Sequence, residues 1–468
     1  ALGAFLAVAA RQPGGLDRLV RALPWVAAAA ATLLVVTFVW TRLVSRESME
    51  VVLPVRASVI QVLLGCLLVW VLAAPQRSSI ARLFSSRWLM FLGTYSYGLY
   101  VYHHFISHYL TANRTELEDF ITDQINNAGT VQSTNNNSTA FGAFVLFNHQ
   151  GGSTMNVASG SEILLNGGGS FSGTSTGSGV GATLNGGGWT ASAGAQIAGT
   201  WQWNAGSLTS GTLTNTGTLN INGTGNADIN GAAAVLANSG TINYSKSAGN
   251  LRFLNDGSLN NLTGGTLDLQ TNQAIIDGGG FGGQINNAGL VQSSNGNSTT
   301  VNTFVEFNHQ NGSTFNVASG SAVLLNGGGS FSGTSTGSGV GATLNSGSWA
   351  ANAGAMIAGT WQWNAGSLTS GTLTNTGTLN INGTGNADIN GATAVLANSG
   401  TINYSKSAGN LRFLNGGTLS NQATGTLDLQ SDQSVIDGGG FGGQINNAGT
   451  VTKSAGTATT VGNFVAFN

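Results

Sequence analysis

Charge, proline and cysteine are scarce in this chain, and each shortage removes a class of protein. Only 7% of the 468 residues are Asp, Glu, Lys or Arg, against about 25% in ordinary soluble domains. With 15 basic residues, 17 acidic ones and a formal net charge of -2, there is no basic patch for a nucleic acid, and no nucleic-acid partner is expected. The single cysteine, Cys66, excludes an intrachain disulfide framework and a CxxC metal site. The four prolines, Pro13, Pro24, Pro54 and Pro75, all precede residue 76, so nothing after that point would interrupt a ladder of hydrogen-bonded strands. No cofactor motif and no metal site is read in the sequence.

What the chain has instead divides near residue 118. Of its 72 glycines, 66 follow that point. Residues 1–118 hold ten Arg against five acids, and residues 119–468 hold five Lys or Arg against twelve. Before the divide, three apolar runs at 23–40, 58–75 and 88–110 approach the roughly 20 residues that cross a bilayer. Residues 1–10 read as the end of a fourth. A buried soluble core is the alternative, but Arg is confined between the runs. Loops 11–22 and 76–87 carry Arg11, Arg18, Arg21, Arg77, Arg82 and Arg87, whereas loop 41–57 carries Arg42, Arg46 and Arg56 diluted by Glu47 and Glu50. The positive-inside rule then puts the first two loops in the cytoplasm and everything after residue 110 outside. Residues 1–110 are then expected in a membrane and the rest of the chain beyond its outer face.

The third run is unusually polar. Ser96, Tyr100, His103 and Ser107 fall on one helical face. Ionisable groups at membrane depth tend to mark sites, which makes Ser96, Tyr100, His103 and His104 candidate catalytic residues. Interfacial side chains snorkelling to headgroups are the competing reading. The stretch "RLFSSRWLMFLGTYSYGLYVYHHFIS" (82–107) resembles the late transmembrane region of the acyltransferase 3 family of membrane O-acyltransferases. Ser96, Tyr97, Leu99, Tyr100 and His103 match its S-Y-x-L-Y-x-x-H run. The resemblance implies acyl transfer to envelope carbohydrate from an acyl donor. It covers about a quarter of the chain and none of the family's early helices, so the segment as it stands reads as truncated and inactive.

The remaining residues repeat. "IAGTWQWNAGSLTSGTLTNTGTLNINGTGNADINGA" occupies 197–232 and recurs unchanged at 357–392. Blocks 124–283 and 284–443 agree at roughly 130 of 160 positions, and a third block, 444–468, breaks off at "FVAFN". A repeat of this size signals an array. Within each block runs a smaller unit of Gly, a small polar residue and apolar-x-apolar, as in "GTWQW" (199–203), "GTLNI" (217–221), "GTINY" (240–244) and "GTLDL" (265–269). The units step by roughly 18 to 25 residues, so about seven fill a block. Leu219 and Ile221 fall on one side of a strand, and Thr218, Asn220 and Asn222 on the other. Gly and Asn supply the turns. Stacking such units predicts a mainly β fold, a right-handed parallel β-helix of some fifteen coils and on the order of 70 Å, preceded by an α-helical transmembrane segment. Low-complexity disorder is the competing reading, but disordered chains combine low hydrophobicity with high net charge.

These units resemble the repeat regions of large bacterial surface proteins, the filamentous-haemagglutinin and autotransporter-like adhesins. The resemblance implies export, a passive rod and contact with other surfaces, and so a bacterial cell envelope, with the N-terminal segment in the inner membrane and the rest exported to the periplasm or cell surface. The expected organisation is therefore a helical membrane segment at 1–113, a junction at 114–123, solenoid blocks at 124–283 and 284–443, and a truncated block at 444–468. Both ends read as cut. The junction fits either one exported protein or the joining of two unrelated reading frames.

Few residues after the junction suggest chemistry. Trp201 and Trp203, with their copies Trp361 and Trp363, share a strand face. Facing outward they would form a platform for sugar rings, and facing inward they are core, the favoured reading because Leu, Ile and Tyr fill the same register in the other units. "NADING" (226–231) has Asn where a calcium loop starts with Asp, and Ala237 where it ends with Glu, so it reads as a turn. Asp268, Asp277, Lys246 and Arg252 are too sparse to promise polysaccharide cleavage. His149 and His309 sit in matching "FNHQ" stretches that read as turns. The expected function is a non-catalytic, surface-exposed β-solenoid with an adhesin-like or structural role, tethered to the lipid bilayer through residues 1–113. Cell-surface carbohydrate or other surfaces are its expected partners. The alternatives are the membrane O-acyltransferase and a carbohydrate-binding or carbohydrate-cleaving β-helix.

Overall fold

The computed structural model describes residue 12, residues 14–43, parts of 59–73, and residues 123–280 and 282–468. The chain divides into two compact units, Ala1–Asp119 and Phe120–Asn468. In the first, helix α1 (Gly15–Leu43) contains the first apolar run, with Asp17 in its opening turn and Pro24 inside it. Described residues between 59 and 73 are helical as well. The expected membrane spans are not found: among the described residues, no helix is long and apolar enough to cross a membrane. The described helix opens with Asp17, Arg18 and Arg21, and the third apolar run lies outside the described residues.

The second unit is a parallel β-solenoid of about 15 turns from residue 123. Strands β1 (Asp123–Asn127), β2 (Thr130–Ser133) and β3 (Ser138–Phe141) make the three sides of the first coil, and each pairs in parallel with the third strand after it. Thus β1 pairs with β4 (Val145–His149), β2 with β5 (Ser153–Val157) and β3 with β6 (Glu162–Leu165). The two-residue alternation of a strand sets the inside and the outside. In the strand Thr218–Ile221, Leu219 and Ile221 are fully buried while Thr218 and Asn220 are not. The same alternation recurs coil after coil, and a continuous apolar column runs from Phe147 to Val465. A single coil could not exclude water from its own apolar side, so each is stabilised by the coils on either side of it.

The corners are held by asparagine. Asn215, Asn238, Asn261 and Asn287 are stacked in register and buried. Each of the first three donates Nδ2 to the Oδ1 of the next, at 2.8, 2.8 and 2.7 Å. The same nitrogens also donate to the carbonyls of Thr241, Thr266 and Leu290 at 3.0 Å. The ladder thus ties each corner to the next coil twice, through the stacked amides and through the first carbonyl of the strand that follows. Its copy runs through Asn375, Asn398, Asn421 and Asn447. Close approach of the coils also demands glycine: Gly199 has φ 66°, and a Cβ there would overlap the carbonyl oxygen of Gly177 in the coil before.

The sequence repeat and the coil are out of step. Successive in-register partners of Ile125 are Phe147, Gly169, Trp189, Leu208, Ile229, Phe253 and Asp277, seven coils in all. Ile285, the equivalent of Ile125 in the next block, lies one side further on, in register with Leu259. Ile445 is displaced by one side again, in register with Leu419. A block therefore occupies seven coils and a third, where the sequence suggested about seven. At the matching corner of each block a phenylalanine stands exposed: Phe144, Phe304 and Phe464.

Replacing Asn238 with Ala removes an acceptor from Asn215 and a donor from the Thr266 carbonyl. The expected cost is on the order of 2–4 kcal/mol, read as a shifted midpoint in urea unfolding of the full chain followed by its β circular dichroism. Thr218→Ala, on the outside, should stay within about 0.5 kcal/mol of the parent.

Candidate functional site

The side chains with the most chemistry turn inward. Trp201 and Trp203 are in register with Leu219 and Ile221, and that register puts both indoles in the core, at 0% and 2% exposure. Trp361 and Trp363 are placed alike. The outward sugar platform is therefore not formed. Most of these indoles bond locally: Trp203, Trp361 and Trp363 donate Nε1 to the carbonyls of Gly206, Ala358 and Ala365.

His149 and His309 are not turn residues, as the sequence suggested, but the last residues of strands Val145–His149 and Val305–His309. Both are buried among aromatic rings. His149 stacks on Phe171 with centroids 4.6 Å apart, and His309 on Phe331 at 4.3 Å. Trp201 and Trp361 stand edge-on to them. His149 Nδ1 lies 3.3 Å from Ser175 Oγ, a contact that could suggest a nucleophile and its base. Both residues are fully buried, and burial pushes each histidine down to about 3, so neither serves as a base exposed to substrate near neutral pH.

The few charges of the solenoid are used structurally. Asp228, inside the "NADING" stretch, is clasped by Arg252 one coil on, with Nε and Nη2 at 2.7 and 2.8 Å from its two oxygens. Asp388 and Arg412 repeat the pair. The hydrogen bonds to Asp228 hold the Arg252 guanidinium above its ordinary value. Lys246 is buried and donates Nζ to the carbonyls of Asn204, Asn222 and Gly225 on the two preceding coils. Desolvation lowers its ammonium to about 8, against the pull of Asp228. Asp268 accepts from Gln270, and Asp277 caps the Gly279 amide. Asp268, Asp277, Lys246 and Arg252 thus each have a separate structural task. Among the described residues, no three metal-binding side chains gather. Ser96, Tyr100, His103 and His104 lie outside the described residues.

What the solenoid offers to a partner is its outside. Thr200, Thr218, Thr241 and Thr266 form one in-register outward row, and Gln202, Asn220, Asn243 and Asp268 run beside it. Asn243 donates to Asn220 at 2.8 Å. In the next block the rows are Thr360, Thr378, Thr401, Thr426 and Thr450, beside Gln362, Asn380, Asn403, Asp428 and Thr452. These half-buried hydroxyls and amides stand at the coil spacing of about 4.8 Å. They can exchange hydrogen bonds with a polar surface. Sequence reading placed Thr218 and Asn220 outside but missed the Asp228–Arg252 pair and the Lys246 corner. Their spacing of about one coil was the available signal. Comparisons with protein families, curated proteins and solved structures give no match to this chain.

Two outcomes are expected. Between pH 6.5 and about 3 the unfolded chain binds protons that the buried neutral histidines refuse. Stability is thus complete above pH 6.5 and declines as pH falls toward 3. Thermal melting across that window should show the decline, and a His149→Phe/His309→Phe variant should flatten it. Because Asp228 is occupied by Arg252, melting should be the same with calcium and with a chelator.

Proposed function

We propose that this chain is a non-catalytic rod displayed at a bacterial surface, with an adhesin-like or structural role. Its coil is right-handed, the sense that nearly all parallel strand crossovers take. The reading is carried by the in-register outward rows of Thr, Asn and Gln, broken only by Asp268 and Asp428, a long and sparsely charged surface able to hydrogen-bond without catalysing. Cell-surface carbohydrate, rich in hydroxyls, is the partner class that suits these rows. Residues 1–113 serve as the membrane tether. The exposed apolar side chains of α1, Trp25, Val26, Leu33 and Val36, support that role, since apolar side chains left in water favour a lipid surface. Export and tethering together give the solenoid a periplasmic or cell-surface location.

Bacteria expressing the full chain should bind antibody to the solenoid without permeabilisation and adhere to carbohydrate-coated surfaces. Thr218→Lys with Thr378→Lys, on the outward rows one block apart, should lower adhesion several-fold while leaving the melting curve in place. Labelling only after permeabilisation would overturn surface display. Unchanged adhesion in the Lys variant would overturn the role of the rows.

A further inference from the structure

The chain contains ten Asn-Gly pairs in its solenoid, beginning at Asn166, Asn185, Asn222, Asn230, Asn295, Asn311, Asn326, Asn382, Asn390 and Asn415. In such a pair the unhindered glycine amide can attack the asparagine side chain, provided that the side chain is free to swing. Nine of the ten are held by hydrogen bonds to a neighbouring coil. Asn166, Asn185 and Asn326 belong to outer amide ladders. Asn222 and Asn382 donate to Gln202 and Gln362. Asn255 donates to Asn230, Asn415 donates to Asn390, and Asn311 accepts from the Thr334 amide.

Asn295 differs. It is exposed at the turn between the strands Leu290–Ser293 and Ser298–Val301. Its backbone and that of Gly296 have φ of 64° and 74°, a left-handed pair typical of a tight turn. Among the described residues its carboxamide makes no hydrogen bond. The Gly296 amide instead donates to Ser321 Oγ at 3.1 Å from the next coil, so an oxygen already faces the proton that must leave the attacking nitrogen.

We propose that Asn295 is a site of spontaneous, self-catalysed modification. The Gly296 nitrogen bonds to Cγ of Asn295, and its proton passes to Ser321 Oγ and on to solvent. The Cγ–Nδ2 bond breaks, the amino group takes a proton from solvent and leaves as ammonia, and a five-membered succinimide remains. Water then opens the ring at either carbonyl, giving aspartate or isoaspartate. The product places a carboxylate on one corner of a nearly uncharged rod. The isoaspartate form also lengthens the turn backbone by a methylene. The equivalent positions in the other blocks, Asn135-Asn136 and Ala455-Gly456, lack the Asn-Gly pair, so the change marks one corner of the array only.

The test is to age the full chain at mildly alkaline pH and follow every Asn-Gly peptide by mass spectrometry and isoaspartate detection. The other nine sites must first give up a hydrogen bond worth about 0.5–1.5 kcal/mol, so Asn295 should convert up to about tenfold faster than they do. Unfolding the chain in urea should bring all ten to similar rates. Ser321→Ala should slow Asn295 alone, and Asn295→Gln should abolish the product at that turn. A folded chain in which Asn295 converts no faster than Asn311 or Asn415 would overturn the proposal. An unchanged rate in Ser321→Ala would remove the part assigned to that hydroxyl.

Discussion

Everything in the solenoid depends on corners that stay in register. A strand ladder aligns the coils along the sides, but at each bend the chain leaves one ladder for the next, and a buried polar group there must find a partner. The buried stacks from Asn215 to Asn287 and from Asn375 to Asn447 meet that need, because one amide can bridge to the next asparagine and to the first carbonyl of the strand beyond it together. The ladder of the first block ends where His309 follows Asn287 in register. From there the interior is built of rings, with imidazole stacked on Phe331 and Trp361 set edge-on. Polar and aromatic segments of the core thus alternate along the rod.

The same register accounts for the scarcity of charge. Parallel in-register stacking sets each side chain about 4.8 Å from its counterpart on the next coil. A row of one sign at that distance would cost about 1 kcal/mol per step even in water. Neutral Thr, Asn, Gln and Ser can occupy such rows and bond along them. Charge is admitted where the sign reverses between coils, as from Asp228 to Arg252, where carbonyls surround it, as at Lys246, or singly between neutral neighbours, as at Asp268 between Asn243 and Gln292. Composition and architecture are therefore two views of one constraint.

The solenoid was legible because its period is simple. Alternation in "GTLNI" correctly predicted Leu219 and Ile221 inside and Thr218 and Asn220 outside. Absence of proline and abundance of glycine agreed with tight, uninterrupted coils. The functional residues were less legible. Trp201 could be read inward only by matching its unit to that of Leu219, 18 residues on, and the register of the two strands bears that reading out. His149 looked like a turn residue because Gln150, Gly151 and Gly152 follow it, yet the ladder extends one residue further than the polar letters suggest. The third-of-a-coil offset was hidden for a similar reason: coil lengths vary, so only the paired residues count them. The membrane spans expected of residues 23–40 and 58–75 rest on hydropathy, and no helix among the described residues meets the length and apolarity required to cross a bilayer.

That offset gives the rod the properties of a screw. A feature written once per block, such as the corner bearing Phe144, Phe304 or Phe464, is shown next about 35 Å along and a third of a revolution round. Three blocks complete the circuit before the same edge presents it again. A rod built this way has no front and no back. Duplicating a block lengthens the molecule and also rotates what it displays, so a purely linear event in the gene spreads one surface feature around the whole circumference.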